Sequence, residues 1–339
     1  MILDMFAHIR GPKYSAELKR RVGDDGIGGG NPIRDSLEGR FESIEKQCPE
    51  GYTSVISTMM ENIPRLEDEI ALAKTANDEY VELMEKYPKY FCGAAALLPT
   101  SDMKEAVKEA RRAIEELKLS GFLVGSHVCG DLLGHEKMFD LYEMAAHYDV
   151  PIWIHPYHRF PHVDFGPFDY ACETAKTMMD LSTSGVFERF PNIKFIAHHG
   201  GGVVPLLYPR MIAMYYCVED KGIMKALEEQ SDNQLKGPAG KKGKVPEWSV
   251  EQGMKYFQNL KSFYVDTAFD GVCPDVLELR LKFFGVDKFV FGADFPGGPT
   301  SDKAIAEAKF NIDSQNISVE DKKKIFYENG KKLLKLDAI

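Results

Sequence analysis

The sequence predicts an α/β fold, a single-domain (β/α)8 TIM barrel with a polar excursion between its sixth and seventh units. Three observations carry this expectation. Eight short apolar runs punctuate the 339 residues, segments of helical periodicity separate most of them, and histidine or aspartate stands at the C-terminal end of several runs. Short continuous apolar runs are the pattern of strands buried on both faces, as in a parallel sheet covered by helices. The runner-up is a doubly wound open sheet. Its dinucleotide signal, G-x-G-x-x-G straight after a strand, is missing. Gly26, Gly28, Gly29 and Gly30 follow a charged stretch and read as a loop.

The runs are residues 2–6 (ILDMF), 53–58 (TSVIST), 91–98 (FCGAAALL), 121–124 (GFLV), 151–155 (PIWIH), 193–197 (IKFIA), 263–266 (FYVD) and 288–292 (KFVFG). Between them, residues 65–86 carry Leu66, Ile70, Ala73, Tyr80, Leu83 and Met84 near one face of a helix. Residues 103–117, 137–148, 274–284 and 304–310 continue the helical pattern. Residues 318–336 read as a closing helix started by Ser318 as its cap. The stretch 219–250 is long and polar, with a Gly/Lys cluster at 237–244; it reads equally as a lid above the barrel or as surface disorder. Loops at 10–34, 157–170 and 219–250 are expected to shape the pocket.

Composition narrows the function classes. The net charge of −10 argues against a nucleic-acid or anionic-membrane surface, which needs clustered basic charge. Six cysteines are scattered with no C-x-x-C pair, the usage of reduced, mostly buried thiols, so the expected location is cytoplasmic. No apolar run reaches the ~18 residues of a membrane span, and Met1 leads straight into Ile-Leu-Asp-Met-Phe without the basic start of a secretory signal.

Barrel chemistry sits at the C-terminal ends of the strands. There the sequence places His8, His155, the pair His198-His199, and Asp294. Neutral imidazoles with a carboxylate are a usual ligand set for Zn²⁺ or a similar divalent ion. An ion so held keeps an open position for water or substrate.

These residues also carry a resemblance. Residues 2–9 (ILDMFAHI), 91–99 (FCGAAALLP), 121–128 (GFLVGSHV), 150–156 (VPIWIHP), 185–190 (GVFERF), 196–202 (IAHHGGG) and 291–296 (FGADFP) resemble the decarboxylase-type branch of the amidohydrolase superfamily, the group around aminocarboxymuconate semialdehyde decarboxylase. The resemblance implies metal ligands at His8, His155 and Asp294, with Asp294 also shuttling protons. It implies a catalytic strand-six histidine followed six residues later by proline; His199 and Pro205 fit that spacing, so His199 is preferred to His198. Arg210, eleven positions beyond His199, matches an arginine that binds a substrate carboxylate and is often lent by a neighbouring subunit, which implies a homodimer. His158 and Arg159 are further candidates for substrate contact. The departure is Phe6, which stands where the family has the first histidine of H-x-H and cannot ligate a metal. One divalent ion, Zn²⁺ or alternatively Mn²⁺, is expected, held less tightly than in a relative with the full motif.

The function implied is a metal-dependent lyase decarboxylating a small aromatic or unsaturated carboxylic acid. A hydrolase or hydratase using metal-bound water is the alternative on the same scaffold, since one barrel hosts many chemistries. A third reading, from another class, is a barrel that has lost its metal and serves as a non-catalytic ligand-binding subunit.

Overall fold

A computed structural model describes residues 1–23, 33, 36–58, 63, 65–156, 166–216, 250–268, 271–297 and 302–336. Seven parallel strands form one sheet in chain order: β1 (Ile2–His8), β2 (Tyr52–Ser57), β3 (Phe91–Leu97), β4 (Gly121–Gly125), β5 (Pro151–His155), β6 (Lys194–Ala197) and β7 (Tyr264–Val265). A two-strand hairpin, His127–Val128 with Asp131–Leu132, sits beyond β4. The sheet curls round to meet itself through the eighth apolar run. Phe289 bridges to Val265 and Phe295 to Ala7, so the run touches both edges of the sheet.

That eighth run is a correction to the expected strand, because it forms single bridges and no ladder. The Val290 amide still donates to the Val265 carbonyl of β7 at 3.0 Å, but the next two go elsewhere. The Phe291 amide donates to the Ile325 carbonyl at 2.8 Å. Gly292 is held by the Thr267 hydroxyl, which accepts from its amide at 3.2 Å and donates to its carbonyl at 3.1 Å. Beyond it Asp294 takes a left-handed backbone (φ 55°) and Pro296 has no amide to donate.

Most buried apolar side chains among the described residues fall into two cores. Leu3, Met5, Phe6, Val55, Ala95, Leu123, Trp153, Ile196, Val290 and Leu333 fill the barrel interior. The larger layer, between sheet and helices, includes Leu72, Ala76, Ala110, Phe122, Ile152 and Phe195. Met5 and Phe6 share the interior although they are neighbours in sequence, because β1 is bulged between Asp4 and Ala7. One extra residue flips the in–out parity of everything after it. The bulge is satisfied locally: Asp4 Oδ1 accepts from the Phe6 amide at 2.9 Å, and the Met5 carbonyl accepts from Trp153 Nε1 at 2.7 Å. It therefore aims Phe6 and His8 at the barrel axis.

Helices Leu66–Lys86, Met103–Glu115, Phe139–Tyr148 and Pro274–Phe284 fall where the periodicity predicts them. The expected single closing helix is three consecutive pieces, Val319–Lys323, Lys324–Glu328 and Asn329–Leu334, the middle one π-helical. Asn329 Nδ2 donates to the Val286 and Phe289 carbonyls, which seats this segment against the eighth run. The expected pocket loop at 10–34 begins as a helix, Pro12–Val22, whose first amides donate to the Glu79 carboxylate. The excursion 219–250 lies outside the described residues except for Val250, which starts the helix Val250–Ser262. Among the described residues, no helix is long and apolar enough to cross a membrane.

Candidate metal centre

Four side chains converge at the C-terminal ends of the strands. His8 ends β1 and His155 ends β5. His198 follows β6, its amide still donating to Ile154 O at 3.2 Å. Asp294 lies at the left-handed turn of the eighth run. One ligand atom from each of His8, His155, His198 and Asp294 lies within 4.8 Å of the others.

Each histidine is held by one ring nitrogen and presents the other. His155 Nδ1 donates to the Pro156 carbonyl at 2.8 Å. His8 Nδ1 is 3.4 Å from the Ser57 hydroxyl. His198 Nδ1 makes a short contact with Asp266 Oδ2. Asp266 Oδ1 in turn accepts from the amides of Gly200 at 2.8 Å and Ala268 at 3.2 Å, so one carboxylate fixes both the ring and the turn after β6. Outer partners of this kind set the tautomer and orientation of metal-binding histidines.

The inward-facing atoms lie close together yet form no hydrogen bonds. His8 Nε2 is 2.9 Å and His198 Nε2 3.2 Å from Asp294 Oδ1. All three atoms are buried and, among the described residues, without a hydrogen-bond partner. Two atoms held about 2.0–2.1 Å from one ion sit about 2.9 Å apart at a right angle and about 3.3 Å apart at the tetrahedral angle. The spacing, burial and donor chemistry therefore fit a divalent ion.

Electrostatics agree. Burial alone would raise the Asp294 carboxyl, but His198 and His8 outweigh it and hold it well below the carboxylate range. Burial, then neighbouring His198 and His8, pushes His155 well below the ordinary imidazole value, and burial does the same to His199. Both are neutral rings. For His198, burial lowers the value but Asp266 and Asp294 prevail, raising it to about 10. Two buried carboxylates thus demand positive charge at the centre, which a metal ion supplies as well as an imidazolium does.

Phe6 is wholly buried and lies flat on His198, ring centroids 3.7 Å apart at 12°. Gly292 makes this possible, since a Cβ there would come within 2.7 Å of the Asp266 Cβ and 3.2 Å of the Phe6 Cβ. His199 is outside the four-residue group. It takes a left-handed backbone (φ 54°), stacks on His198 at 4.1 Å and Tyr170 at 5.8 Å, and its buried Nδ1 has no partner among the described residues. Arg210 is exposed on the helix Val204–Tyr216. His158 and Arg159 lie outside the described residues. Asp266, which orients His198, ends the seventh run, and that strand-end position is its signal in the sequence.

The chain is similar to proteins already known. The chain is 30% identical over 165 residues to a 2-amino-3-carboxymuconate-6-semialdehyde decarboxylase of Dictyostelium discoideum, a match covering 47% of this chain and 45% of the relative. It therefore spans about half the length of that relative. It is 26% identical to a gamma-resorcylate decarboxylase of Polaromonas sp., over 78% of this chain and 76% of that one. Among solved structures, a dihydroxybenzoic acid decarboxylase from Polaromonas sp. JS666, with bound manganese and the inhibitor 2-nitroresorcinol, superposes with a TM-score of 0.75 at 22% identity, covering 100% of this chain and 98% of that chain. The pattern of the amidohydrolase family matches residues 56–336, and the chain belongs to that family.

Proposed function

We propose that this protein is a metal-dependent decarboxylase of a small aromatic carboxylic acid. The observation that carries the reading is the convergence of His8, His155, His198 and Asp294 atoms, buried, close and largely unbonded to one another, on the rim where barrels do chemistry. The relatives named above, a gamma-resorcylate and a dihydroxybenzoic acid decarboxylase among them, support it. The cofactor is one divalent ion, zinc or manganese; when bound it supplies positive charge that anchors an acidic substrate oxygen.

The chain's own residues do the rest. Asp294, ionised as its surroundings hold it, accepts a proton. His199, neutral and with a free Nδ1 among the described residues, relays one. The carbon–carboxylate bond breaks, its electron pair stays on the substrate carbon, the proton that Asp294 accepted is passed to that carbon, and CO₂ leaves. Burial of the rim excludes the water that would quench charge interactions. Arg210 clamps a substrate carboxylate through its planar fork, reaching the pocket of a second copy in a homodimer. Leu206 and Leu207, exposed beside Arg210 on the same helix, support that assembly. His158 and Arg159 belong to the same proposal as substrate contacts, the segment 219–250 as a polar excursion or lid, and the cytoplasm as the location.

The test is incubation of the metal-loaded protein with a panel of carboxyl-labelled hydroxybenzoates, 2,6-dihydroxybenzoate and 6-methylsalicylate included. Labelled CO₂ or bicarbonate from at least one acid is expected. Hydrolysis of an ester, or hydration of a double bond, with no CO₂ from any acid would favour the hydrolase or hydratase reading instead.

A further inference from the structure

Phe6 removes a ligand from the first strand, yet four potential ligand atoms remain grouped at the centre. We infer that the chain moves its missing ligand from strand one to strand six: His198 Nε2 binds the ion, Phe6 is the floor beneath its ring, and His199 is left outside the coordination shell. This rests on the metal-dependent reading above and deepens it, since it assigns the ligand set and divides the work of a tandem histidine.

The geometry of His198 is that of a ligand. Its Nδ1 is taken by Asp266, so Nε2 is the nitrogen that faces the centre. Nε2 stands 3.2 Å from Asp294 Oδ1 without bonding to it, near the 2.9 Å at which His8 Nε2 stands from the same oxygen. The ring lies 4.9 Å from that of His155 and 6.0 Å from that of His8, centroid to centroid. It is wholly buried, so no water-exposed alternative competes for the nitrogen.

Phe6 explains why the ring stays there. A phenyl stacked at 3.7 Å and 12° covers one face of the imidazole while leaving its edges, and both nitrogens, uncovered. A side chain at position 6 that turned toward the ion would give up this stack. The substitution that costs a ligand on strand one therefore buttresses another on strand six. His199 stacks partly on His198, with ring centroids 4.1 Å apart at 29°. The left-handed turn at His199 carries its ring toward Tyr170, and it is not among the residues whose ligand atoms share the 4.8 Å cluster.

The experiment is X-ray absorption on the full chain loaded with one equivalent of zinc, where imidazole multiple scattering counts histidine ligands. Three imidazoles are expected; two would overturn the assignment. Zinc affinity by competition with a chromophoric chelator gives a second, independent arm. His198→Ala is expected to weaken zinc more than about a hundredfold, beyond the 10–100-fold typical of outer-shell losses. His199→Ala is expected to stay within about fivefold of the native chain. Equal losses in the two variants would overturn the division of roles, and so would native affinity in His198→Ala. Should His198→Ala not fold, the spectrum of the native protein decides alone. The decarboxylase reading fails separately: three imidazoles with no CO₂ release from any acid would sink that reading and leave this one standing.

Discussion

Two buried polar clusters lie on the first strand on either side of its bulge, one built round Asp4 and the other round His8. Asp4 is saturated. Its Oδ1 accepts from the amides of Phe6 at 2.9 Å and Ala293 at 3.3 Å, and its Oδ2 accepts from the Tyr52 hydroxyl at 2.7 Å. Around His8 the reverse holds: His8 Nε2, His198 Nε2 and Asp294 Oδ1 are brought within 3.2 Å or less along the His8–Asp294–His198 path and make no hydrogen bond. They meet only as close charged contacts and leave their hydrogen-bonding capacity unused, and a buried polar atom without a hydrogen bond costs about 1–3 kcal/mol. The satisfied cluster holds the bulge, and the unsatisfied one is kept for a partner from outside the chain.

The sharpest break of this contrast is Asp294→Ala, which removes the carboxylate proposed as both ligand and proton carrier. Metal content should fall to near zero by elemental analysis, and CO₂ release by about a thousandfold or more. Retention of a tenth of the activity would mean the carboxylate is dispensable. Next comes Asp266→Asn, which keeps a hydrogen-bonding oxygen but removes the charge behind His198. A metal affinity weaker by about 10–100-fold is expected, with an unchanged far-ultraviolet circular dichroism spectrum. Unchanged affinity would reduce Asp266 to a turn former. Arg210→Ala touches neither cluster and should raise KM by about tenfold, the loss of one charge-assisted hydrogen bond, while leaving the zinc affinity alone. Loss of zinc in that variant would contradict its assignment to substrate.

The smallest effect lies on the satisfied side. Burial raises Asp4 from 3.8 to about 7, although Tyr52, the Phe6 and Ala293 amides and Arg40 pull the other way. An acid whose folded value is raised binds more protons in the native state. Stability is therefore greatest below about pH 4 for this group and is lost as pH rises toward 7. Asp4→Asn removes that component, so its melting temperature should fall less than that of the native chain between pH 5 and 7.5, with metal affinity within about threefold. Parallel pH profiles would show that Asp4 is ionised throughout.

The strands were legible because residues such as Phe122, Ile152 and Phe195 are buried on both faces and leave continuous apolar runs. The eighth run was misread as a strand. Its apolar content is real, but the Thr267 hydroxyl and Ile325 carbonyl take the ladder's place, and tertiary partners of that kind leave no local pattern. The helix Pro12–Val22 was lost for the opposite reason: six of its residues are charged or proline, and a distant carboxylate, Glu79, caps it. At the site, His8, His155 and Asp294 were visible as strand-end polar residues. That His198 joins them needed the turn geometry: the backbone at His198 is still extended (φ −71°, ψ 166°), and the left-handed turn begins at His199. The stack of Phe6 on His198 depends on the bulge at Asp4, which no spacing reveals.

The central claim is that the unsatisfied rim holds an ion that the decarboxylation needs. Stepwise addition of zinc or manganese to chelator-stripped protein, with CO₂ release from an accepted hydroxybenzoate followed at each step, tests it most directly. Activity should be near zero in the stripped chain, rise in proportion to bound metal and level off at one ion per chain. Full activity in protein shown by elemental analysis to be free of metal would contradict it.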